Sequence, residues 1–453
     1  MIDKLKKMLS GINADYADIR YEAKRDLSIV FNAHELTSLE SNTTDGYVLR
    51  MIRKGGMSVI SFTRESDAPE AIRIASENAL LMSRSGLPVK LAETEVVQER
   101  FRPELLEDPR GISIEEKLNL TRGYNEIALG DKRIATTSIG YGEVIRGKFF
   151  ANTEGTAIDE ETVTTRISGS ITAKEGNILQ NVRVAIGGSN GFAVLRDSSG
   201  VFENKKRIAL ELLSAESVKA GVYNVVLNSS LAGVFTHEAF GHFSEADLLE
   251  DAPTMREKMQ LGAHLGNEIL NIKDDPTMPG QVGFYRYDDE GVRARPVQLM
   301  KNGVLTGRLH SRRTASSFGE PLTGHCVAED YRYAPIVRMG TIFIEPGTDS
   351  LDTLLGKIGD GLYLLDAKGG QTSGDSFTFG AQYGYLVRNG KKDRMIRDIN
   401  ISGNLYQTLQ NITAVGNDLN LSKAGGCGKG QTNIKSCHGA PHVIIRDVIL
   451  GGV

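Results

Sequence analysis

The 453-residue sequence predicts an α+β fold, with an N-terminal α/β domain over residues 1–200 and a mainly antiparallel β domain over 201–453. Runs rich in Thr, Val and Ile alternate between apolar and polar residues in both halves, which is typical of strands. Apolar residues at helical spacing are confined to a few segments. The two patterns do not alternate regularly along the chain, and this disfavours a sheet built from parallel crossovers.

The N-terminal half is predicted to combine helices with antiparallel strands. Its predicted elements are, in order, an amphipathic helix over 2–12, strands over 17–63, helices over 66–86 and 113–128, and further strands over 132–194. Ser66 and Asp67 are the predicted caps of the second helix, because short polar side chains before an apolar helical run accept the first free amide hydrogens.

The C-terminal half is predicted to be mainly antiparallel β and to carry one important helix. Its predicted elements are a helix over 200–219, a strand over 223–230, a helix from about Leu231 that its preceding serines cap, and many short strands with one or two further helices. The domain boundary falls within 195–222. Asn302-Gly303 and Asn389-Gly390 each lie between strand patterns and predict two-residue hairpins.

The composition argues against a nucleic-acid-binding, a disulfide-rich or a membrane-spanning protein. A formal net charge of -4 gives no general attraction to nucleic acid, so no direct nucleic-acid partner is expected. Cys326, Cys427 and Cys437 are too few and odd in number for a disulfide framework, which favours a reducing compartment. No segment approaches the roughly 18 to 20 apolar residues of a membrane span. We therefore expect no membrane contact and a cytoplasmic location.

The motif HEAFGH places His237 and His242 five positions apart. In a regular α-helix this spacing turns the two side chains about 140° away from each other, so they would not bind one ion. A turn with an i to i+5 hydrogen bond would return both to one face. We therefore predict a π-bulged turn between Thr236 and Phe243, helped by Gly241 because glycine tolerates backbone distortion.

Two histidines and the intervening Glu238 are compatible with a catalytic zinc site, in which three protein ligands leave one position for water. The alternative is that the three residues lie together by chance and are exposed or hydrogen-bonded. Glu238 would act as general base towards that water. A third ligand must come from elsewhere in the chain, and the residue types leave it open. The candidates are Glu245, Asp247, His264, Cys427, Cys437, His438 and His442.

Several further segments resemble one known family. The H-E-x-x-x-H of HEAFGHFSEAD, the segments YRYDDEGV at 285–292 and APIVRM at 334–339, and GGCGKGQ followed by RDVILGG near the C terminus occur in the order found in the TldD/PmbA family, formerly described as modulators of DNA gyrase. The resemblance runs through nearly the whole chain and is specific in the C-terminal half.

The resemblance implies a zinc metallopeptidase of the TldD type. It implies an α/β N-terminal domain and a C-terminal domain built on a large, strongly curved antiparallel β-sheet that carries the metal-site helix. It makes His237, His242 and Cys427 the ligands of Zn²⁺ and Glu238 the general base. It further implies a two-subunit shell around a chamber, in which this chain pairs with a TldE/PmbA-like subunit or with a second copy, and small or unfolded polypeptides as substrates. A non-catalytic chambered partner or regulatory subunit is the alternative, against which the intact motif argues.

Other conspicuous polar residues are expected to have no catalytic role. Surface charge and sheet packing are the expected roles of Arg338, Tyr285, Tyr287 and Tyr331. The alternative is that they stabilise an oxyanion or hold a terminus of the substrate. The acidic run 288–290 is expected to form a solvated hairpin tip. The segment SCHGAPH departs from the family pattern by adding Cys437, His438 and His442, and we expect it to leave the metal site unaffected.

Overall fold

The computed structural model describes residues 1–84, 86–250, 252–423 and 425–451. The predicted α+β class is confirmed, with long strands in the N-terminal half and two further multi-stranded sheets after residue 215. In the part of the chain that the structure describes, no helix is both long and apolar enough to cross a lipid bilayer.

The N-terminal half forms one seven-stranded sheet with three helices. Its helices are α1 (Ile2–Leu9), α2 (Ala68–Met82) and α3 (Ile114–Leu129), and its strands are β1 (Tyr16–Asn32), β2 (Glu35–Arg53), β3 (Gly56–Phe62), β4 (Gln98–Phe101), β5 (Ile134–Asn152), β6 (Ala157–Glu175) and β7 (Ile178–Gly188). The order is β3-β2-β1-β5-β6-β4, with β7 also on β6, and only β4 runs parallel to its neighbour among these pairs. The predicted helices and strands of this half are confirmed in place and type. The first two helices end earlier than predicted, at Leu9 and Met82, and strand β4 was not predicted. Ser85, in the predicted second helix, lies outside the described residues.

The helix caps of this half differ from the prediction in one case. Ser113 accepts a hydrogen bond from the backbone amide of Glu116 and so caps α3. The predicted capping of α2 by Ser66 and Asp67 is wrong. These residues form a 3₁₀ turn before α2, in which the Asp67 carboxylate accepts hydrogen bonds from Arg64 and Ser66 and leaves the helix amides uncapped by a side chain.

The C-terminal half contains many short strands and seven short helices among its described residues. The helices are α4 (Ser199–Glu211), α5 (Ser229–Thr236), α6 (Ala246–Glu250), α7 (Pro253–Lys258), α8 (Arg312–Phe318), α9 (Leu351–Ile358) and α10 (Leu405–Gln410). The strands are β8 (Glu216–Ser217), β9 (Gly221–Leu227), β10 (Ile272–Asp274), β11 (Val297–Lys301), β12 (Val304–Leu305), β13 (Cys326–Val327), β14 (Ile336–Val337), β15 (Thr341–Ile344), β16 (Gly361–Ser373), β17 (Ser376–Arg388), β18 (Lys391–Arg397), β19 (Ile399–Asn404), β20 (Ile412–Val415), β21 (Asn420–Leu421), β22 (Cys437–Ala440) and β23 (Val443–Gly451).

The larger C-terminal sheet is strongly curved, as predicted. Its order is β16-β9-β23-β19-β17-β18-β8, and β17 pairs with β16 as well, so that five strands close into a ring. The pairs within it are mostly antiparallel, and β9 with β16 and β8 with β18 are parallel. A second sheet has the order β12-β11-β10-β15-β22-β21. Helix α5 follows β9 directly and is packed between the two sheets.

Both predicted hairpins are confirmed. Asn302 and Gly303 connect β11 to β12, and Asn389 and Gly390 connect β17 to β18. All four residues have positive φ, at 49°, 74°, 48° and 73°. Glycine, asparagine and aspartate adopt this conformation more readily than other residues, which is why Asn-Gly dipeptides indicate the turn so strongly.

Two predicted boundaries near the middle of the chain are wrong. The helix predicted over 200–219 ends at Glu211, because Glu216 and Ser217 pair with β18 as a strand. The serines after β9 do not cap the histidine helix. They lie within α5, and the side chain of Asn228 caps it by accepting a hydrogen bond from the amide of Leu231.

Apolar packing holds α5 against the curved sheet. The ring of Phe235 lies 5.5 Å from the ring of Phe377 and 6.0 Å from that of Phe379, both on β17. Phe235 and Phe240 are fully buried. Burying such side chains stabilises the fold by roughly 1.5 to 3 kcal/mol each. The histidine motif begins just after Phe235 and contains Phe240, so it is anchored in the core.

The acidic run 288–290 is not a solvated hairpin tip, contrary to the prediction. Asp288, Asp289 and Glu290 are each at most 2% exposed. Asp289 lies between basic side chains of the N-terminal sheet, with its oxygens 3.2 Å from Nη2 of Arg146 and 3.2 Å from Nζ of Lys148. Carboxylates this deeply buried require such partners, and the run therefore joins the two halves of the molecule.

Candidate metal centre

The histidine motif forms the widened turn that its spacing predicts. Residues His237–Gly241 are a π-helical turn in which the amide of His242 donates a hydrogen bond to the carbonyl oxygen of His237, five positions earlier. A 3₁₀ turn over His242–Ser244 follows. The two imidazole rings lie 5.1 Å apart between centroids and are nearly perpendicular, at 87°. The prediction of a π-bulged turn is confirmed.

Gly241 is important in this turn because it leaves space for neighbouring atoms, and the predicted reason, tolerance of backbone distortion, is wrong. Its backbone is ordinary right-handed helix, with φ -57° and ψ -48°. A Cβ atom at this position would lie 2.1 Å from Sδ of Met339 and 3.0 Å from Cδ1 of Ile342. The glycine is needed because the turn packs closely against the chain around Met339, and conformational tolerance plays no part.

Four side chains with metal-ligating atoms meet beside this turn. One ligand atom from each of His237, Glu238, His242 and Cys427 lies within 4.8 Å of all the others. Nε2 of His242 is 3.5 Å from Sγ of Cys427 and 3.8 Å from Oε2 of Glu238. The chain thus brings a thiol to the histidines across 185 positions of sequence.

A short hairpin over residues 425–436, the Cys427 hairpin, carries this thiol. Cys427 and Ile434 exchange two backbone hydrogen bonds of 3.0 Å across it. Lys429, near its tip, lies with Nζ 2.6 Å from Oδ1 of Asp247, 3.0 Å from Oε2 of Glu245 and 3.0 Å from the carbonyl oxygen of Val337. Lys429 therefore ties the hairpin to the segment that follows the histidine motif.

Glu245 orients His242. This fully buried carboxylate accepts a 3.3 Å hydrogen bond from Nδ1 of His242, which leaves Nε2 directed at the cluster. A histidine whose second nitrogen is held by a carboxylate is the usual arrangement at metal sites. Although burial opposes it, His242, Lys429 and Arg338 keep the pKa of Glu245 below its usual range. Glu245 is therefore a partner of a candidate ligand and lies outside the cluster itself.

The pKa values of the four side chains in the cluster are shifted in different directions. Burial lowers the pKa of His237 well below its usual value and raises that of Glu238. Against the effect of burial, the contact between Cys427 and His242 lowers the pKa of the thiol, and contacts with Cys427 and Glu245 raise the pKa of His242 to about 9. A thiolate beside a histidine is a reactive, metal-binding form of cysteine.

The remaining third-ligand candidates lie outside the cluster. The carboxylate of Asp247 forms an ion pair with Lys429. His264 is exposed, with Nδ1 3.5 Å from the amide of Gln410. Cys437 is buried next to the carbonyl oxygen of Ser422 at 3.4 Å. His442 bonds to Asp418 at 2.6 Å. His438 comes nearest, with its ring 5.6 Å from that of His237, and burial lowers its pKa to about 4.

Arg338 is not a surface charge, contrary to the prediction. It is fully buried, and its Nη1 lies 3.5 Å from Oε1 of Glu245. The tyrosines do serve packing: Tyr287 is buried, the ring of Tyr331 lies against Gly46, and the hydroxyl of Tyr285 donates to the carbonyl of Gly324. Sequence reasoning missed the roles of Arg338, Glu245 and Lys429 around the cluster, since no spacing pattern connects them to it.

Comparison with known proteins identifies the family. The sequence matches the PmbA/TldA metallopeptidase domain 1 over residues 17–83, the central domain over 107–226 and the C-terminal domain over 220–452. It is 36% identical over 442 residues to a metalloprotease of Synechocystis, covering 97% of this chain and 95% of the relative. It is 29% identical over 461 residues to a zinc metalloprotease TldD homologue of Saccharolobus solfataricus, covering 99% of each.

Solved structures share the fold at low sequence identity. A putative modulator of DNA gyrase from Thermotoga maritima superposes with a TM-score of 0.81 at 18% identity, covering 99% of both chains. TldE from Thermococcus kodakarensis gives a TM-score of 0.79 at 18% identity, covering 100% of this chain and 99% of its own. From the three domain matches and the 36% identity over almost the full length, it follows that this chain belongs to the PmbA/TldD family of metallopeptidases.

Proposed function

We propose that this protein is a zinc-dependent peptidase, in which His237, His242 and Cys427 bind Zn²⁺ and Glu238 is the general base. One observation carries the proposal: two imidazoles, a thiol and a carboxylate lie within 4.8 Å of one another beside a π-helical turn. A regular α-helix would not bring the two imidazoles to one face. Buried turns of this kind are frequent at functional sites.

The donor set fits zinc. Zinc prefers nitrogen and sulfur ligands, whereas calcium and magnesium prefer oxygen. Two ligand atoms of a tetrahedral zinc ion lie roughly 3.3 to 3.8 Å apart, and the 3.5 Å between Nε2 of His242 and Sγ of Cys427 falls in this range. Nδ1 of His237 is buried without a hydrogen-bond partner among the described residues, an arrangement whose cost a bound cation would offset.

A bound zinc ion would polarise the scissile carbonyl and lower the pKa of an attacking water. Glu238 takes the proton of that water and passes it to the leaving amine. Burial raises the pKa of this carboxyl group, which brings it closer to the neutral range in which a general base works best. A hydrogen bond from Oγ1 of Thr372 to the Glu238 carbonyl, at 3.0 Å, holds the backbone of the base against β16.

The proposed substrates are small or unfolded polypeptides, and the proposed assembly is a two-subunit chamber. The partner is a TldE/PmbA-like subunit or a second copy of this chain. The structural likeness to a TldE protein supports an assembly of two subunits with similar folds. A non-catalytic role in such an assembly is disfavoured, because the motif residues and the thiol are all present and close together.

The first prediction tests the ligands and the base separately. Purified protein is expected to contain about one zinc ion per chain, and the His237→Ala and Cys427→Ala variants are expected to lose it. Glu238→Gln keeps the ligands, so it should retain zinc while cleavage of an unfolded peptide falls by about 100-fold or more. Elemental analysis measures the metal, and chromatography of the peptide measures cleavage.

A matched control is Glu257→Gln, an exposed glutamate on α7 that should change neither readout. Full zinc retention by Cys427→Ala would move the third ligand elsewhere. Wild-type cleavage by Glu238→Gln would refute its role as base. The zinc measurement does not depend on whether a partner subunit is present, so it tests the site even if cleavage requires that subunit.

A further inference from the structure

A cavity of about 380 Å³ lies between the N-terminal sheet and the Cys427 hairpin. Strands β1, β5 and β6 form most of its wall, and Gly425, Asn433 and Lys435 of the hairpin line the opposite side. Arg166 and Lys423 also face it, and we call it the basic cavity. Its volume is within the range of sites that bind small molecules or parts of larger ones.

Three basic side chains line the basic cavity, and in the described parts of the chain none of them has a carboxylate within ion-pair distance. Lys435 donates one hydrogen bond, of 2.7 Å, from Nζ to Oγ1 of Thr164. Among the described residues, the side chains of Arg166 and Lys423 form no ion pair and no hydrogen bond either. Positive groups that face a cavity without counter-charges are a feature of anion-binding sites.

The carboxylates that face the basic cavity are engaged by other residues. Oδ1 of Asp26 lies 3.4 Å from Nζ of Lys24. Glu143 is buried, and its Oε2 lies 2.6 Å from Nζ of Lys117. The cavity therefore keeps a surplus of positive charge.

The surroundings of Lys435 disfavour its own charge. Burial, followed by the nearby Arg146, Lys24 and Arg166, lowers the pKa of Lys435 to about 7, and Asp26 offsets this only in part. A cation among other cations is costly until an anion compensates it. A carboxylate in the cavity would supply that compensation and accept charge-assisted hydrogen bonds.

The Cys427 hairpin is the wall between the basic cavity and the candidate metal centre. Cys427 and Ile434 are paired across the hairpin, and Lys435 comes next in the chain. Neighbouring residues of an extended segment point to opposite sides. Cys427 accordingly reaches the histidines, while Lys435 lines the cavity behind them.

We propose that the basic cavity binds a carboxylate of the polypeptide substrate, either its free C-terminal carboxylate or an acidic side chain. The identity of the ligand rests on the proposed peptidase function, because carboxylates are the anions that an unmodified polypeptide carries. Lysine and arginine are the residues that bind them. The site selects substrates by charge at a position separate from the scissile bond.

Peptide binding to the Glu238→Gln protein tests this proposal without cleavage. The protein has no tryptophan, so the fluorescence anisotropy of a single tryptophan in a ten-residue peptide reports binding. Three otherwise identical peptides are compared: one with a free C-terminal acid and neutral side chains, one amidated with a single glutamate, and one amidated without acidic residues. We expect the first or the second to bind about tenfold more tightly than the third, and which one does so identifies the source of the carboxylate.

Lys435→Met should abolish this preference. Arg166→Gln combined with Lys423→Met changes only exposed side chains, and it should weaken the preference in a protein whose folding is undisturbed. Lys174→Met, on the same strand β6 but outside the cavity, is the matched control and should keep it. Equal binding of the three peptides, or an unchanged preference in both cavity variants, would overturn the proposal.

Wild-type cleavage distinguishes the two proposals. If the wild-type protein cleaves all three peptides equally and binds them alike, the peptidase function stands and the cavity proposal fails. If binding is selective for a carboxylate but no peptide is cleaved, with or without added zinc, the carboxylate site stands and the proposed peptidase function fails.

Discussion

Lys429 shows how a residue outside the cluster can determine its assembly. Its ammonium group contacts Asp247, Glu245 and the carbonyl of Val337 while its own chain segment carries Cys427. Glu245 in turn holds His242. The thiol and one imidazole are therefore positioned through a shared set of charged contacts. Residues that orient metal ligands in this way commonly contribute 10- to 100-fold to metal affinity.

The second prediction concerns the effect of Lys429→Met on zinc affinity. Loss of the ammonium should free the Cys427 hairpin and leave Glu245 with fewer partners, so that zinc affinity falls about 10- to 100-fold. Competition with a chromophoric chelator measures the affinity without any assay of activity. Lys391→Met, an exposed lysine on β18, should bind zinc as the wild type does. An unchanged affinity in Lys429→Met would show that the hairpin is held by its backbone contacts alone.

At the scale of the element, the π-helical turn depends on close packing as well as on its hydrogen bond. Gly241 leaves space for Met339, and any side chain at this position would collide with the sulfur atom. Because the backbone of Gly241 is ordinary helix, alanine would be conformationally acceptable there. The effect of a substitution is therefore expected to come from the collision.

The third prediction is that Gly241→Ala lowers the free energy of unfolding by about 1 to 3 kcal/mol, the range for overpacked sites. Met339→Ala removes the colliding atom, so it should destabilise the Gly241→Ala protein by less than it destabilises the wild type, where it only opens a cavity at a fully buried side chain. Gly123→Ala is the control, since Gly123 lies within α3 with open space around it. That substitution should raise stability by roughly 0.5 to 1 kcal/mol. Urea unfolding measures all of these variants, and an equal cost of Met339→Ala in the wild type and in Gly241→Ala would contradict the packing argument.

At the scale of the whole molecule, a buried charge network joins the N-terminal sheet to the C-terminal half. Arg20, Arg146 and Lys148 of the sheet surround Asp289, and Arg50 forms an ion pair with Glu290. Burial opposes the charge on Asp289, yet Arg146, Arg20 and Lys148 hold its pKa below the usual range. The network therefore favours one arrangement of the two halves.

The fourth prediction concerns Asp289→Ala. Three basic groups would lose a buried partner, so the free energy of unfolding should fall by about 3 to 5 kcal/mol. The pKa of Asp289 is lower in the folded state than the value of about 3.9 in the unfolded state. Its contribution is thus present above about pH 4 and is lost as the pH falls further.

The difference between wild type and Asp289→Ala should accordingly shrink in acid, as denaturant unfolding from pH 7 to pH 3 would measure. Glu70→Gln removes an exposed ion pair with Arg73 and serves as the control, with stability close to the wild type at every pH. A difference that stayed constant with pH would show that the Asp289 carboxylate is not held in its charged form.

Much of the fold and part of the site could be predicted from the sequence, because the relevant signals are local. Alternation of apolar residues indicated the long strands, and positive-φ dipeptides such as Asn302-Gly303 indicated the hairpins. The spacing of His237 and His242 predicted the π-helical turn. Each signal lies within a few residues and depends only on backbone geometry. The division into 1–200 and 201–453 and the roles of the site residues stay predictions.

Only the tertiary structure decided what packs around these local features. It placed Cys427 beside His242 and Cys437 away from it, buried the acidic run at 288–290 and gave Gly241 a steric role. Such contacts join segments up to 313 positions apart, as between Arg20 and Tyr333. The sequence by itself determined the turn that can present two imidazoles to one ion. The tertiary structure decided which thiol meets them, because burial and charge pairing depend on distant segments that no local pattern specifies.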